Sequence, residues 1–174
     1  EIVHTAENGE IHRADVKTDQ EWVLEFQYSK IQPDERTARE IFYQNLVWVV
    51  YGARKRDKSQ FFKALKDACV VIKEWNLLKI PFPEESALLR DWSGSKVPVF
   101  FDFSEDGKPE DTHLWCLIRV INGIAYVGPF SREDFIKYHS PEATINNLDF
   151  SELLKNINEG IEIINQPRRV RSFD

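Results

Sequence analysis

A chain of 174 residues, 42% hydrophobic and 30% charged, is long enough for one domain or two small ones with a core, and its composition excludes a disordered segment. Its longest apolar run, Leu46 to Tyr51, falls far short of the ~20 residues a membrane helix needs. Lysine and arginine number 23 against 29 acidic residues, a formal net charge of −6, which disfavours sequence-blind wrapping of nucleic acid yet leaves room for a locally basic groove.

In chain order, the first 31 residues read as a meander of strands over 1–5, 11–17 and 22–28, interrupted at Glu7-Asn8-Gly9 and at Thr18-Asp19-Gln20. Gln32-Pro33-Asp34 opens a helix of about three turns whose apolar stripe is Ala38, Ile41 and Phe42. Residues 46–51 are apolar throughout, the pattern of a strand covered on both faces at a sheet centre, and Gly52 ends it. Arg54, Lys55, Arg56, Asp57 and Lys58 make a basic loop, after which Ser59 caps a short helix carrying Phe61, Phe62 and Leu65. Residues 69–72 fit a strand or a helix end. A helix over 84–92 starts at Pro83, and a strand over 97–103 leads into a Glu105-Asp106-Gly107 turn. Asn122-Gly123 joins 114–121 to 124–130 as a two-residue hairpin turn, which requires positive φ. Ser131 caps a helix running to Tyr138, and a last helix covers 150–164 before the basic tail Arg168-Arg169-Val170-Arg171.

The fold class expected from this order is a mixed α/β (α+β) sheet. Pro81, Pro83 and Ser93-Gly94-Ser95 accumulate between 75 and 95. They divide the chain into 1–75 and a C-terminal hairpin-and-helix extension, 76–174, packed on the same core. Cys69 and Cys116 offer neither a disulfide framework nor a paired-cysteine zinc site, so the expectation is a cytoplasmic, reducing setting with two buried thiols. Methionine is absent and Glu1 lies inside a strand pattern, so further residues are expected upstream.

The informative pattern lies in 11–28. A register that opposes Asp15 to Glu25, Arg13 to Gln27 and Lys17 to Val23 puts these residues on one face and Ala14, Val16, Trp22, Leu24 and Phe26 on the other. It also brings two carboxylates together, which repel unless a cation lies between them. Mg²⁺ or Mn²⁺ takes oxygen ligands and is commonly held by one or two carboxylates plus substrate phosphate. Asp15, Glu25 and the Phe26 carbonyl supply such a set. Gln27, on the same face as Glu25, could orient a water through its amide. An edge hairpin with one solvated face alternates in the same way, its acids merely exposed.

Ile11-His12-Arg13-Ala14-Asp15-Val16, Leu24-Glu25-Phe26-Gln27-Tyr28-Ser29-Lys30-Ile31, Glu35-Arg36, Arg39-Glu40-Ile41-Phe42-Tyr43 and Leu46-Val47-Trp48-Val49-Val50 resemble the nuclease domain of competence protein CoiA-like proteins. These form a bacterial branch of the PD-(D/E)xK, or restriction-endonuclease-like, superfamily. Asp91-Trp92-Ser93 and Pro98-Val99-Phe100-Phe101-Asp102-Phe103 extend the likeness more weakly. The resemblance implies a helix–meander–helix–strand core, metal-dependent phosphodiester cleavage and a DNA substrate. By position it makes Asp15 and Glu25 the metal-binding acids, and puts Gln27 where the superfamily usually has lysine. Glutamine hydrogen-bonds but carries no charge, so a cation must come from elsewhere, with Lys17 the nearest candidate on the hairpin face. The superfamily's first helix has no counterpart in this chain.

Arg36, Arg39, Glu40 and Tyr43 share one polar helix face, either a solvated surface or, with the resemblance, a phosphate contact through Arg36, Arg39 and Tyr43. Arg54, Lys55 and Arg56 are candidates for contacting a DNA backbone. His12 falls on the apolar side, and the 22 aromatic residues fit core positions. Three functions follow: a metal-dependent deoxyribonuclease, a catalytically silent nuclease-fold module that binds DNA or a protein partner, or an unrelated α+β interaction domain.

Overall fold

The computed structural model of the protein describes residues 2–5, 11–104 and 113–167, with side chains from residue 14 onward. Glu7-Asn8-Gly9, Glu105-Asp106-Gly107, the tail Arg168–Arg171 and the side chains of His4, His12 and Arg13 lie outside this description.

Strands β1 (Ile2–Thr5) and β2 (Ile11–Ala14) pair antiparallel as a separate ribbon. The remaining strands are β3 (Val16–Lys17), β4 (Val23–Gln27), β5 (Leu46–Tyr51), β6 (Cys69–Ile72), β7 (Leu77–Ile80), β8 (Val99–Asp102), β9 (His113–Ile121) and β10 (Ile124–Ser131). They form one eight-stranded mixed sheet in the order β3-β4-β5-β8-β9-β10-β7-β6. Strands β4, β5 and β8 are parallel to one another and every other pairing is antiparallel. A parallel neighbour needs a crossover, and α1 (Pro33–Phe42) provides the one from β4 to β5. The longer connection from β5 to β8 carries α2 (Lys55–Ala64), the β6–β7 hairpin and α3 (Ala87–Trp92). Helices α4 (Arg132–Tyr138), α5 (Pro141–Ile145) and α6 (Phe150–Asn165) follow β10.

Helices cover both faces, so alternate residues of the central strands enter different cores. Val23, Trp48, Val50 and Phe101 pack with Phe61 of α2 and Leu89 and Trp92 of α3. Leu24, Val47, Val49 and Phe100 pack with Phe135 of α4 and Phe150 of α6. Leu77 and Tyr126 extend the second layer under Ile157 and Ile161 of α6.

The mixed α/β class, helix α1, strand β5 and the Asn122-Gly123 turn, at φ 50° and 75°, follow the pattern expected from sequence. Several features differ. The expected meander splits, because the chain bends at Asp15 and β2 turns to β1, so only Val16–Leu24 and Lys17–Val23 remain paired to β4. Strand β5 is third of eight, since β9, β10, β7 and β6 extend the sheet on one side only. The basic loop is instead the first turn of α2, begun at Lys55 with Arg54 at the cap position making no side-chain cap bond; Lys and Arg are good helix formers, and Ser59 lies inside the helix. Helix α3 begins only after Ser86, whose hydroxyl accepts from Leu89 N, because Pro83–Glu85 form a single 3₁₀ turn. Segments 1–75 and 76–174 interleave: β8 lies against β5, and β6 pairs with β7 at the far edge. Cys116 is buried, but Cys69 is exposed on that edge strand, against the expectation of two buried thiols.

Candidate active site

The bend at Asp15 gives its carboxylate a backbone partner. Where β2 leaves the sheet, the edge N–H of Phe26 has no strand carbonyl to meet, and it donates to Asp15 Oδ2 at 2.8 Å. Asp15 is thereby held beside the residue that follows Glu25. Glu25 lies opposite Trp48 of β5, on the face covered by α1, and is only 3% exposed. A carboxylate at that depth needs a charged partner. Arg39 of α1 supplies it, with Nη1 2.8 Å from Glu25 Oε2 and Nη2 2.9 Å from Glu35 Oε1.

Tyr43, the residue that ends α1, completes the group. Burial raises the pKa of its hydroxyl, the charges of Glu25 and Asp15 push it further up, and Arg39 opposes them. Both carboxylates and the guanidinium therefore lie within electrostatic reach of one protonated phenol.

Helix α1 keeps Phe42 against the core but departs from its expected apolar stripe at Ile41. Ile41, read as part of an apolar stripe, is 79% exposed, whereas Arg36 is 8% exposed and the Glu40 carboxylate is buried. Glu40 accepts from Trp48 Nε1 at 3.2 Å, Ser95 Oγ at 2.9 Å and Lys96 N at 3.0 Å. Arg36 donates to the Asp91 carbonyl at 2.7 Å and lies over the Trp92 ring. Arg36 and Tyr43, expected to face a phosphate, are both buried, Arg36 against Asp91 and Trp92 and Tyr43 beside Glu25. Arg39, a quarter exposed, remains at the margin of the acid pair.

Gln27 points its amide nitrogen to the Ser29 carbonyl at 2.6 Å. Lys17 pairs with Glu21 at the turn end of the hairpin, opposite Val23 and away from Gln27, so Arg39 takes its place as the cation beside the acids. The Phe26 ring is exposed, as is Val16, in contrast to the apolar face assigned to both. Arg54, Lys55 and Arg56 are exposed; Arg54 donates to the Tyr28 carbonyl, and its guanidinium lies over the rings of Tyr28 and Tyr51. The partnership of Arg39 with Glu25 had a sequence signal, since a buried acid on β4 and a cation on the crossover helix α1 are natural neighbours. The roles of Glu40 and of Tyr28 had none.

Among the described residues, no group of three or more histidine, cysteine or acidic side chains gathers as a metal cage. Asp15 is held by Phe26 N, one residue past Glu25, and carboxylates are the kind of oxygen donor that a hard divalent cation takes. Among the described residues, no helix is long and apolar enough to cross a membrane. No family model, curated protein or solved structure matches the chain.

Proposed function

We propose that the protein is a metal-dependent deoxyribonuclease of the restriction-endonuclease-like kind, as its resemblance to CoiA-like nuclease domains implies. In this proposal residues 11–51 are the catalytic core, a short hairpin followed by a helix and a parallel strand. The observation that carries it is the hold of Phe26 N on the Asp15 carboxylate, which brings a second acid to the strand position next to Glu25. Surface design avoids such pairing of like charges.

Asp15 and Glu25 would hold Mg²⁺ or Mn²⁺, with the Phe26 carbonyl as a further oxygen donor. A cation there supplies Lewis-acid stabilisation of the phosphoryl charge and activates water. Arg39 neutralises Glu25 before DNA arrives and then offers its guanidinium to a phosphate oxygen, providing the charge that Gln27 lacks. Gln27 orients the attacking water through its amide, whose carbonyl end can accept a hydrogen bond from it. Tyr43, kept protonated by burial and the adjacent acids, stays a hydrogen-bond donor.

Plasmid and single-stranded DNA incubated with Mn²⁺ should be cut by the intact chain and left uncut by Asp15→Ala and by Glu25→Ala. Equal cleavage by all three proteins overturns the proposal. The ion pair on Glu25 and the bond from Gln27 to Ser29 favour a second reading, a silent module that binds DNA without cutting it. Salt-sensitive DNA binding without metal-dependent turnover would select that reading.

A further inference from the structure

The chemistry at Glu25 leaves the cleft beyond the C-terminal ends of β4 and β5 without a role. Tyr28, Ser29, Lys30, Ile31, Tyr51 and Arg54 line it, together with residues of α3. Parallel strands end there side by side, a common location for ligand sites in α/β sheets. Tyr28 is three residues past Glu25, about 10 Å along an extended chain.

Tyr28 is 67% exposed yet fixed on two sides. Its ring stacks on Tyr51 with centroids 4.6 Å apart and planes 26° from parallel. Its carbonyl accepts from Arg54, whose guanidinium lies 5.3 Å from the Tyr28 ring centre and 5.8 Å from that of Tyr51. A lone exposed tyrosine needs no explanation, but two stacked rings with an arginine across both make an ordered, open aromatic surface with a cation at its rim. The acids of the cleft are already paired: Asp91 with Lys30 at 3.3 Å and Asp57 with Arg54 at 3.9 Å. Lys55 and Arg56 stand exposed just beyond, on the first turn of α2.

We infer that Tyr28, stacked on Tyr51 and rimmed by Arg54, is a platform for one unpaired base of a single-stranded DNA. The inference rests on the nuclease reading for the identity of its ligand and adds to it the class of substrate. Every base has a π-face that can stack on an aromatic ring, with little regard to sequence. Inside a duplex those faces are covered by neighbouring bases, so an unpaired strand can occupy the platform and an intact duplex cannot. A base on Tyr28 would run its strand back along β4 towards Asp15 and Glu25, with Lys55 and Arg56 positioned for backbone phosphates.

The test is fluorescence anisotropy of the full chain with a labelled short oligothymidylate, and with a duplex of equal length, in EDTA so that nothing is cut. The single strand should bind more tightly than the duplex. Tyr28→Leu should weaken its binding roughly tenfold or more, whereas Tyr28→Phe should retain it; thermal melting confirms that both variants fold. Absence of single-strand binding, equal affinity for the duplex, or wild-type affinity in Tyr28→Leu overturns the inference. Cleavage with Mn²⁺ is read separately. A chain that binds through Tyr28 and cuts nothing keeps the platform and loses the nuclease, while one that cuts DNA but binds without Tyr28 does the reverse.

Discussion

Arg39 is the residue on which the metal-free site depends. Removing it takes the guanidinium away from the buried Glu25 carboxylate, and a lost hydrogen bond to a charged group costs about 1.5–3 kcal/mol. Arg39→Ala is therefore expected to lower the thermal midpoint in EDTA, and Mn²⁺ should restore more of the loss than it adds to the wild type, because the cation then replaces the guanidinium. Equal metal-induced shifts in the two proteins would mean that Arg39 and metal do not share Glu25. A second residue sets a pH dependence far from the acids. His139 is enclosed by Trp22, Phe135 and Phe150, and burial lowers its pKa below the usual 6.5 against the opposing bond between its Nδ1 and the Phe135 carbonyl. The folded state thus refuses a proton that the unfolded chain accepts below about pH 6.5. Stability should fall between pH 7.5 and pH 5.5, and His139→Phe should flatten that decline in thermal melts.

At the scale of elements, the hairpin of β9 and β10 depends on its turn. Gly123 sits at φ 75°, a conformation that costs a residue with a Cβ about 1–2 kcal/mol. Gly123→Ala should lower stability by that amount in denaturant unfolding without altering metal binding, since the turn is remote in the sheet from β4. This turn was legible because Asn-Gly permits few alternatives, and β5 was legible because six apolar residues in a row fit a strand covered on both faces. The register of β3 on β4, Val16 with Leu24 and Lys17 with Val23, was legible for a related reason: slipping β3 by one residue would turn its side chains to the wrong face. Helix α1 was legible only in part: Phe42 packs on the core, but Ile41 is exposed and Glu40 turns inward to Trp48, Ser95 and Lys96, partners distant in sequence that no local periodicity reports. Strand β7 escaped notice because Leu77–Ile80 become a strand through pairing with β10 and β6.

For the whole molecule, the interleaving of early and late segments has functional weight. Strand β8 braces β5, which in turn fixes β4 and hence Glu25, so the acid pair depends on residues well beyond the first 75. Asp102, at the end of β8, holds Arg132 of α4 through two hydrogen bonds of 3.1 and 2.7 Å, tying the late helices to the strand ends near the cleft. The central claim is that Asp15 and Glu25 grip one divalent cation. Calorimetric titration of the intact chain with Mn²⁺ tests it most directly. The account predicts one ion per chain in the wild type and none at that affinity in Asp15→Ala or Glu25→Ala. No binding by the wild type, or the same binding by all three proteins, would contradict it.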